Sequence, residues 1–298
     1  MYDVSQMPPI TLLSQKEIPE RLLHVHPIPK ELYLCGTLPI LENFKTLAVV
    51  GARKHSVYGM EVCKKLIEGL SGYPIIIVSG LALGIDSISH QAALDANLLT
   101  IAVPGSGLDE KIIYPQSKLS LAKKILKSGG CLLSEYSPDA KAEPWFFPQR
   151  NRIMAGLADA VLIIEAEKKS GTLITARLAL DYNKEVFAVP GNIFSPLSTG
   201  PHFLIKQGAT PVTTSQDIVE GLGLVWREEG GESKNTSATL TLFNECSPEE
   251  KEFLSLLPST RDEIIRTLKK PAQHVAMTIS LLELKGLIKE EFGKIKTV

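Results

Sequence analysis

Short apolar runs alternate with amphipathic stretches through the middle of the chain. Near-continuous apolar runs rich in β-branched residues, separated by stretches of helical period, are typical of a parallel sheet covered by helices on both faces. The fold class is therefore predicted as α/β, a Rossmann-like, doubly wound and mostly parallel sheet. The predicted strands are Leu47–Val50, Ile75–Val78, Thr100–Val103, Leu132–Ser134, Ala160–Glu165 and Val186–Val189, and the predicted helices are Gly59–Leu70, Ser87–Ala96, Ser117–Lys127 and Thr172–Asn183.

Different patterns flank this region and predict four segments. Residues 1–43 are rich in proline and leucine without a sustained period, so we expect an N-terminal arm laid against the core. The Rossmann-like domain is predicted over 44–225. Residues 226–244 carry glycine, charge and hydroxyl groups but few apolar positions, which is typical of a linker.

Residues 245–298 are predicted to form a small winged-helix domain. Ser247 and Pro248 begin a capping box, Thr260 opens a second helix, Pro271 opens a third, and a hairpin turns at Gly293. From Glu245 to Val298 there are nine basic and nine acidic residues. A helix that enters the major groove usually brings an excess of cations, so duplex binding, protein contact and a structural role all stay open.

Composition limits the function classes. The chain has 298 residues and a formal net charge of −1, so any nucleic-acid binding must come from a local basic patch. Its four cysteines form no Cys-x-x-Cys pair and lie in apolar surroundings, which indicates buried reduced thiols and no metal site. The chain shows neither a signal peptide nor an apolar run of the roughly 18 residues that span a membrane. We expect a cytoplasmic protein without a membrane partner or cofactor.

Four glycine-rich turns follow predicted strands. They are Gly51–Gly59, Ser79–Asp86, Pro104–Gly107 and Lys168–Thr172. The carboxyl ends of parallel strands share one edge of a sheet, where glycine lets backbone N–H groups approach a phosphate. Any one such turn is more simply a tight connection, but four at one edge favour an anion groove. The residues expected to shape its phosphate sites are Gly51, Ser56, Ser79, Gly80, Gly84, Gly171 and Thr172.

The stretch Phe146–Gly156 combines two aromatic residues with Arg150, Asn151 and Arg152. We expect a loop here, followed by a helical turn. Arginine presents a planar fork of donors to phosphate oxygens, and an aromatic face stacks on a base. For an isolated Arg-x-Arg, arginines paired with acids would be the simpler interpretation. The neighbouring glycine-rich turns favour nucleic-acid binding.

Groups for acid–base or cofactor chemistry are few. The first turn is not Gly-x-Gly-x-x-Gly, and no phosphate-binding loop ending in Gly-Lys-Ser/Thr occurs. Asp86 is interpreted as a helix N-cap and His90 as a packed residue. Glu135 and Glu165 follow strands, but spacing identifies no catalytic partner for either. We therefore predict a binding protein and not an enzyme.

Together these motifs resemble the DprA/Smf family of DNA-processing proteins, from about Ile18 through Ala209. The matching stretches are Leu32-Tyr33-x-x-Gly36, Val50-Gly51-Ala52-Arg53 with Ser56 and Tyr58-Gly59, Ser79-Gly80-x-Ala82-x-Gly84-Ile85-Asp86, Leu133-Ser134-Glu135-Tyr136, Phe147-Pro148-x-Arg150-Asn151-Arg152-Ile153, Ser170-Gly171-Thr172 and Val189-Pro190-Gly191. The family usually has threonine at the position of Ala52 and asparagine at that of His202.

The resemblance implies a homodimeric protein that binds single-stranded DNA, protects incoming strands in natural transformation and helps load the recombinase RecA. It carries over a strand-contacting set: Arg53, Phe147, Arg150, Asn151, Arg152 and Lys169. Two alternatives stay open. A nucleotide phosphoribohydrolase on a similar fold would need a glutamate where this chain has Thr175, and a nucleotide sensor would bind a mononucleotide in the same groove.

Overall fold

The computed structural model describes residues 7–227, residues 253, 264, 266 and 268, and the segments 272–284, 288–291 and 294–297. The chain divides into two compact units, Met1–Trp226 and Arg227–Val298. The predicted linker, the capping box at Ser247 and the helix start at Thr260 lie outside the described residues.

A single sheet of nine strands runs through residues 7–227, in the order β1-β2-β6-β5-β4-β3-β7-β8-β9. The seven strands from β3 to β9 are parallel, and β1 and β2 are antiparallel additions at one edge. This confirms the predicted Rossmann-like, mostly parallel sheet. The strands are β1 (Ile10–Leu12), β2 (Tyr33–Gly36), β3 (Lys45–Val50), β4 (Ile75–Ser79), β5 (Thr100–Ala102), β6 (Cys131–Ser134), β7 (Ala160–Ile163), β8 (Glu185–Ala188) and β9 (Thr210–Pro211).

Helices cover both faces of this sheet because successive strand residues point to opposite sides. In β3, Ala48 and Val50 pack into one apolar core, whereas Leu47 and Val49 pack into the other. The helices are α1 (Val57–Glu68), α2 (Ile85–Asp95), α3 (Leu119–Lys127), α4 (Phe146–Leu157), α5 (Gly171–Asp181), α6 (Thr199–Lys206) and α7 (Ser215–Gly221). Short 3₁₀ helices occur at Glu20–His24, Leu41–Asn43, Gln116–Lys118 and Pro196–Ser198.

The N-terminal arm is part of the sheet as well as a cover for it. Tyr33 pairs with Ser134 and Gly36 with Cys131, which places β2 antiparallel to β6, and β1 then pairs with β2. The sequence analysis did not predict these strands, because the prolines of the arm obscure the short apolar run Tyr33–Cys35. The 3₁₀ helix Glu20–His24 packs against α4.

A partly buried polar cluster connects the arm to the amino ends of β3 and β7. Nη1 of Arg21 lies 2.8 Å from Oδ2 of Asp159 and 2.7 Å from Oγ1 of Thr46. The backbone N–H of Thr46 donates to the same carboxylate oxygen at 2.8 Å. Burial alone would raise the pKa of Asp159, but the hydrogen bonds from Thr46 and Arg21 together lower it below its usual value.

The second unit contains α8 (Ala272–Leu284) and the antiparallel hairpin β10 (Ile288–Glu291) with β11 (Lys294–Thr297). The predicted hairpin is therefore present. Seven buried side chains make one apolar core in this unit: Phe253, Ile264, Val275, Ile279, Leu282, Ile288 and Ile295. The exposed residues of α8 include Gln273, His274 and Met277, and Lys285 lies outside the described residues. The winged helix as a whole stays a prediction.

Two global properties follow from the described helices and side chains. Cys35, Cys63 and Cys131 are buried thiols, and Cys246 lies outside the described residues. Burial raises the pKa of Cys35 to about 11, so this thiol is protonated at neutral pH. In the segments that the structure describes, the helices are too short or too polar to cross a lipid bilayer.

We predict that Asp159→Asn lowers the free energy of unfolding by about 1–3 kcal/mol at pH 7, because a carboxylate that accepts several hydrogen bonds is lost. The pKa of Asp159 in the folded protein is depressed, so its contribution is present above the unfolded value of 3.8 and lost as pH falls through the folded value. Urea denaturation from pH 2 to pH 7 measures both effects. Asp181→Asn, at an exposed position, is the control; equal pH profiles for wild type and Asp159→Asn would contradict the prediction.

Candidate functional site

A crevice lies where the order of the parallel strands reverses. The chain leaves β3 toward β4 on one side, and β7 occupies the other side of β3. Ligands in such sheets bind at this topological switch point, beyond the carboxyl ends of the strands. The crevice encloses about 530 Å³ and is called the switch-point pocket below. Of the predicted residues, Gly51, Arg53, Phe147, Arg150, Asn151, Gly171 and Thr172 line it.

Arg53 and Phe147 form a stacked pair at this pocket. Arg53 is exposed in the turn after β3, and its Cζ lies 4.8 Å from the centroid of the Phe147 ring. The glycine-rich turn after β5 supports the ring from beside it: a methyl group at Gly105 would lie 2.7 Å from Cδ1 of Phe147. The ring of Tyr114 lies 5.7 Å away, centroid to centroid. A cation and an aromatic surface are thus held together in one place.

The prediction that Phe146 starts a loop was wrong. This stretch forms α4 from its first residue, and Pro148 falls in the first helical turn, where its missing N–H breaks no helical hydrogen bond. Arg150, Asn151 and Arg152 are buried within the helix, at 5%, 9% and 7% exposure. Two arginines and an asparagine in an exposed loop would have been free to bind a ligand, whereas here each has protein neighbours.

Hydrogen bonds from Arg150 connect α4 to the carboxyl ends of β4 and β5. Its Nη1 donates to the carbonyl oxygen of Gly80 at 2.6 Å and to that of Val103. Burial lowers the pKa of Arg150 to about 10, while the nearby carboxylate of Asp86 opposes that change, so the guanidinium is charged at neutral pH. A methyl group at Gly80 would lie 2.2 Å from Nη1, which explains a glycine at this position.

Asp86 is not the N-cap of its helix, contrary to the sequence prediction. Gly84, with φ of 80°, is the N-cap of α2, because backbone oxygens of Ala52 and Arg53 leave no room for a side chain there. Asp86 sits in the first turn, and its carboxylate accepts hydrogen bonds from the backbone of Ala82 and Gly80. Burial raises the pKa of Asp86, and the charge of Arg150 acts in the opposite direction.

His90 is a packed residue. Its Nδ1 lies 2.7 Å from Oγ1 of Thr100, and the side chain is fully buried. Burial, reinforced by the charge of Arg150, lowers the pKa of His90 to about 3, so the imidazole is neutral at physiological pH.

Arg152 and Asn151 differ in what they contact. Nη2 of Arg152 forms an ion pair with Glu135, and Arg152 lines a second pocket instead of the switch-point pocket. Nδ2 of Asn151 lies 3.4 Å from the carbonyl oxygen of Gly171, so the amide connects α4 to the start of α5. Burial of both partners makes the Arg152–Glu135 pair sensitive to the loss of either one.

Four of the predicted phosphate-site residues have structural contacts away from the pocket lining. Ser56 caps α1 by accepting from the N–H of Gly59 at 3.0 Å, and its hydroxyl donates to Glu165. Ser79 is buried and donates to the carbonyl oxygen of Val49 at 2.7 Å. Gly80 and Gly84 allow close packing, as described above. The turns that contain them shape the pocket wall indirectly.

The turn after β7 brings cations and a helix start to the pocket. Ser170 caps α5, accepting from the N–H of Thr172 at 3.2 Å, and Gly171 is exposed. Lys169 is exposed in this turn, next to the lining residue Ser170. The first N–H groups of a helix and its dipole favour an anion at this end.

Several residues that line the pocket were not predicted as site residues from the sequence. Lys54 follows Arg53 directly, and this basic pair was a visible signal. Ile174 and Thr175 of α5 also line the pocket, but an apolar residue and a buried hydroxyl in a helix carry no such signal. Among the residues that the structure describes, the lining charges are the cations Arg53, Lys54 and Arg150 and the acids Asp86 and Glu167. The pocket thus has a cationic excess in a chain with a net charge of −1.

Comparisons with known proteins agree with one another. The family model for DNA recombination-mediator protein A matches residues 9–223. Protein Smf of Escherichia coli is 40% identical over 282 residues, which cover 91% of this chain and 72% of that protein. DNA processing protein DprA of Bacillus subtilis is 40% identical over 210 residues, 70% of each chain.

Two solved structures are also similar. DNA processing protein A of Streptococcus pneumoniae has a TM-score of 0.66 and 38% identity, and the match covers 73% of this chain and 75% of that one. DNA processing protein A of Helicobacter pylori, solved to define its single-stranded DNA binding mode, has a TM-score of 0.65 and 31% identity over 72% of this chain and 96% of that one.

We predict that Gly80→Ala destabilises the protein by about 1–3 kcal/mol, because the new methyl group overlaps the guanidinium of Arg150. Gly171→Ala is the matched control: within the described part of the chain, a methyl group there meets nothing closer than 4 Å. Thermal and urea denaturation of the two variants measure the difference. Equal stability of Gly80→Ala and Gly171→Ala would contradict the anchoring role of Arg150.

Proposed function

Because the chain belongs to the DNA recombination-mediator protein A family, the DprA/Smf proteins, we propose that it binds single-stranded DNA in the switch-point pocket. The observation that carries this proposal is the stacking of the Arg53 guanidinium on the Phe147 ring, 4.8 Å from its centroid, at the carboxyl ends of the parallel strands. The single-stranded DNA binding described for the Helicobacter pylori relative supports the same ligand class.

A single strand needs two kinds of contact, and this pocket offers both. Phosphates interact with cations and with the N–H groups of a helix start, here Arg53, Lys54, Lys169 and the first turn of α5. Bases stack on exposed aromatic faces, and Phe147 is only partly buried. Because phosphate contacts carry no base information, we propose that binding is largely independent of sequence.

The buried residues of α4 have a different role in this proposal. Arg150 and Asn151 form the floor of the pocket and hold its walls in place, through the carbonyl oxygens of Gly80 and Gly171. Charge on Arg150 still attracts a strand, since its pKa of about 10 leaves it protonated. Arg152 lines the adjacent pocket, so any contact that it makes with a strand lies outside the switch-point pocket.

We further propose that the protein acts without catalysing a reaction. The phosphoribohydrolase alternative needs a carboxylate three residues after Thr172, and Thr175 there has only a buried hydroxyl. Asp86 accepts hydrogen bonds from backbone N–H groups, and Glu135 is paired with Arg152. The remaining carboxylate of the pocket lining, Glu167, lies exposed in the turn after β7. A bound strand would therefore be held and protected.

The finer biological role is proposed from the family. It comprises protection of incoming strands in natural transformation, loading of RecA and formation of a homodimer, in the cytoplasm. Exposed apolar side chains that follow β8, among them Ile193, Phe194 and Phe203, are the surface we propose for the dimer. The buried thiols suit a reducing compartment.

We predict that Arg53→Ala weakens binding to every single-stranded sequence alike, by about tenfold, and reduces the slope of log affinity against log salt by about 0.7. Phe147→Ala costs about 1–3 kcal/mol of binding energy through lost stacking but leaves the salt slope unchanged. Fluorescence anisotropy with labelled oligonucleotides at several salt concentrations measures both. Arg177→Ala, on the exposed surface of α5, is the control for loss of one positive charge.

Wild-type affinity in both Arg53→Ala and Phe147→Ala would overturn the proposed site. Salt-independent binding of mononucleotides, with weak binding of oligonucleotides, would instead favour the nucleotide-sensor alternative. Release of free base from nucleoside monophosphates would show an enzyme.

A further inference from the structure

A second pocket adjoins the switch-point pocket. It encloses about 670 Å³ between the arm, the start of α4 and the outer face of α5, and is called the arm groove below. Pro148 and Ile174 line both pockets. Both residues are exposed, and Ile174 has 44% of its surface accessible although it is apolar. The two pockets are therefore adjacent and are separated by an apolar ridge that consists of Pro148 and Ile174.

Arg152 lines the arm groove with donors that have no partner among the described residues. Its side chain is 8% exposed and its Nη2 pairs with Glu135. Within the described residues, Nε and Nη1 of Arg152 have no hydrogen-bond partner. Buried donors are almost always satisfied in folded proteins, and an unsatisfied one indicates a missing partner. An acceptor atom of a ligand in the arm groove would supply that partner.

The rest of the lining favours a neutral, planar ligand over a free anion. Lys30 and Arg152 are balanced by Glu31 and Glu135, so the groove has no cationic excess apart from His26. Apart from Gln149, its other walls are apolar or aromatic, and the ring of Tyr136 is stacked on Phe146 at 3.6 Å between centroids. Apolar faces combined with a few hydrogen-bond donors suit a nucleobase, which has a π face and carbonyl or ring-nitrogen acceptors.

We propose that the arm groove is a second nucleobase subsite for the same single strand that occupies the switch-point pocket. The strand crosses the ridge of Pro148 and Ile174, and a base beyond the ridge accepts hydrogen bonds from Arg152. This inference rests on the proposed function, because it extends the path of the same ligand. It assigns binding roles to the arm segment His26–Glu31, which the sequence analysis treated as a cover for the core.

The test compares short and long oligonucleotides. Ile28→Ala and Gln149→Ala alter exposed residues that line the arm groove but not the switch-point pocket. Combined, they are expected to weaken binding of an oligothymidylate of about a dozen nucleotides by about tenfold, while a dinucleotide binds as to wild type. The salt slope is expected to stay unchanged, because a base contact releases no counterion. Leu23→Ala, at an arm position of similar exposure outside both linings, is the control.

Four outcomes are decisive. The expected pattern, with Leu23→Ala equal to wild type, supports the subsite. Wild-type affinity of the Ile28→Ala, Gln149→Ala variant for the long strand, with Arg53→Ala still weakened, overturns the subsite and leaves the proposed function standing. Equal losses for the dinucleotide and the long strand overturn it as well, because the two pockets are then not separate subsites. No affinity of the wild-type protein for any single strand overturns the proposed function and the subsite together.

Discussion

The geometry of the candidate site depends on the hydrogen bonds that Arg150 donates to the carbonyl oxygens of Gly80 and Val103. These carbonyl groups belong to the residues that directly follow β4 and β5. A single side chain therefore connects α4 to the ends of two strands. The guanidinium can lie there only because Gly80 has no side chain and because the carboxylate of Asp86 offsets part of the cost of its burial. Phe147 stands one turn before Arg150, and its place beside Arg53 follows from this anchor.

Under the proposed function, burial of these arginines changes which residues contact a single strand directly. A surface arginine binds a phosphate directly, whereas Arg150 acts through its charge and through the wall that it holds in place. We propose that the direct contacts are then made by exposed residues of two turns, Arg53 and Lys54 after β3 and Lys169 before α5. Binding of a polyanion by a chain with a net charge of −1 would then depend on local cations, and Arg53, Lys54 and Arg150 exceed the acids Asp86 and Glu167 in the pocket lining by one charge.

The fold was predictable from sequence because the strand signals are strong. Ile75–Val78 and Ala160–Ile163 are uninterrupted apolar runs, and their burial on both faces is what a central parallel strand requires. The arm strands were not predictable, since Ile10–Leu12 and Tyr33–Gly36 are short and each pairs with a partner distant in sequence: Tyr33–Gly36 with β6, and Ile10–Leu12 with Tyr33–Gly36. Whether an arginine is exposed or buried is equally a tertiary property. The residue order of Phe147, Arg150 and Arg152 fits a loop or a helix, and only packing against β4, β5 and Glu135 decides between them.

The turns that form the site were predictable from sequence, but the side chains that line it were not. The convergence of glycine-rich turns at one sheet edge follows from parallel topology, and Gly51, Arg53, Gly171 and Thr172 do line one pocket. Ser56 and Ser79 also place hydroxyl groups in these turns, but those hydroxyls donate hydrogen bonds to Glu165 and to the backbone of Val49, respectively. A hydroxyl that caps a helix and one that binds phosphate look alike in sequence, because both follow a strand and precede a helix.

Hydrogen exchange of backbone amides, with and without a saturating oligothymidylate, tests the central claim most directly. If a single strand lies in the switch-point pocket, slowed exchange is expected in the turn around Arg53 and Lys54, at the start of α5 near Gly171, and at the exposed start of α4. Unchanged exchange in these three segments, together with slowed exchange confined to other parts of a DNA-bound protein, would contradict it.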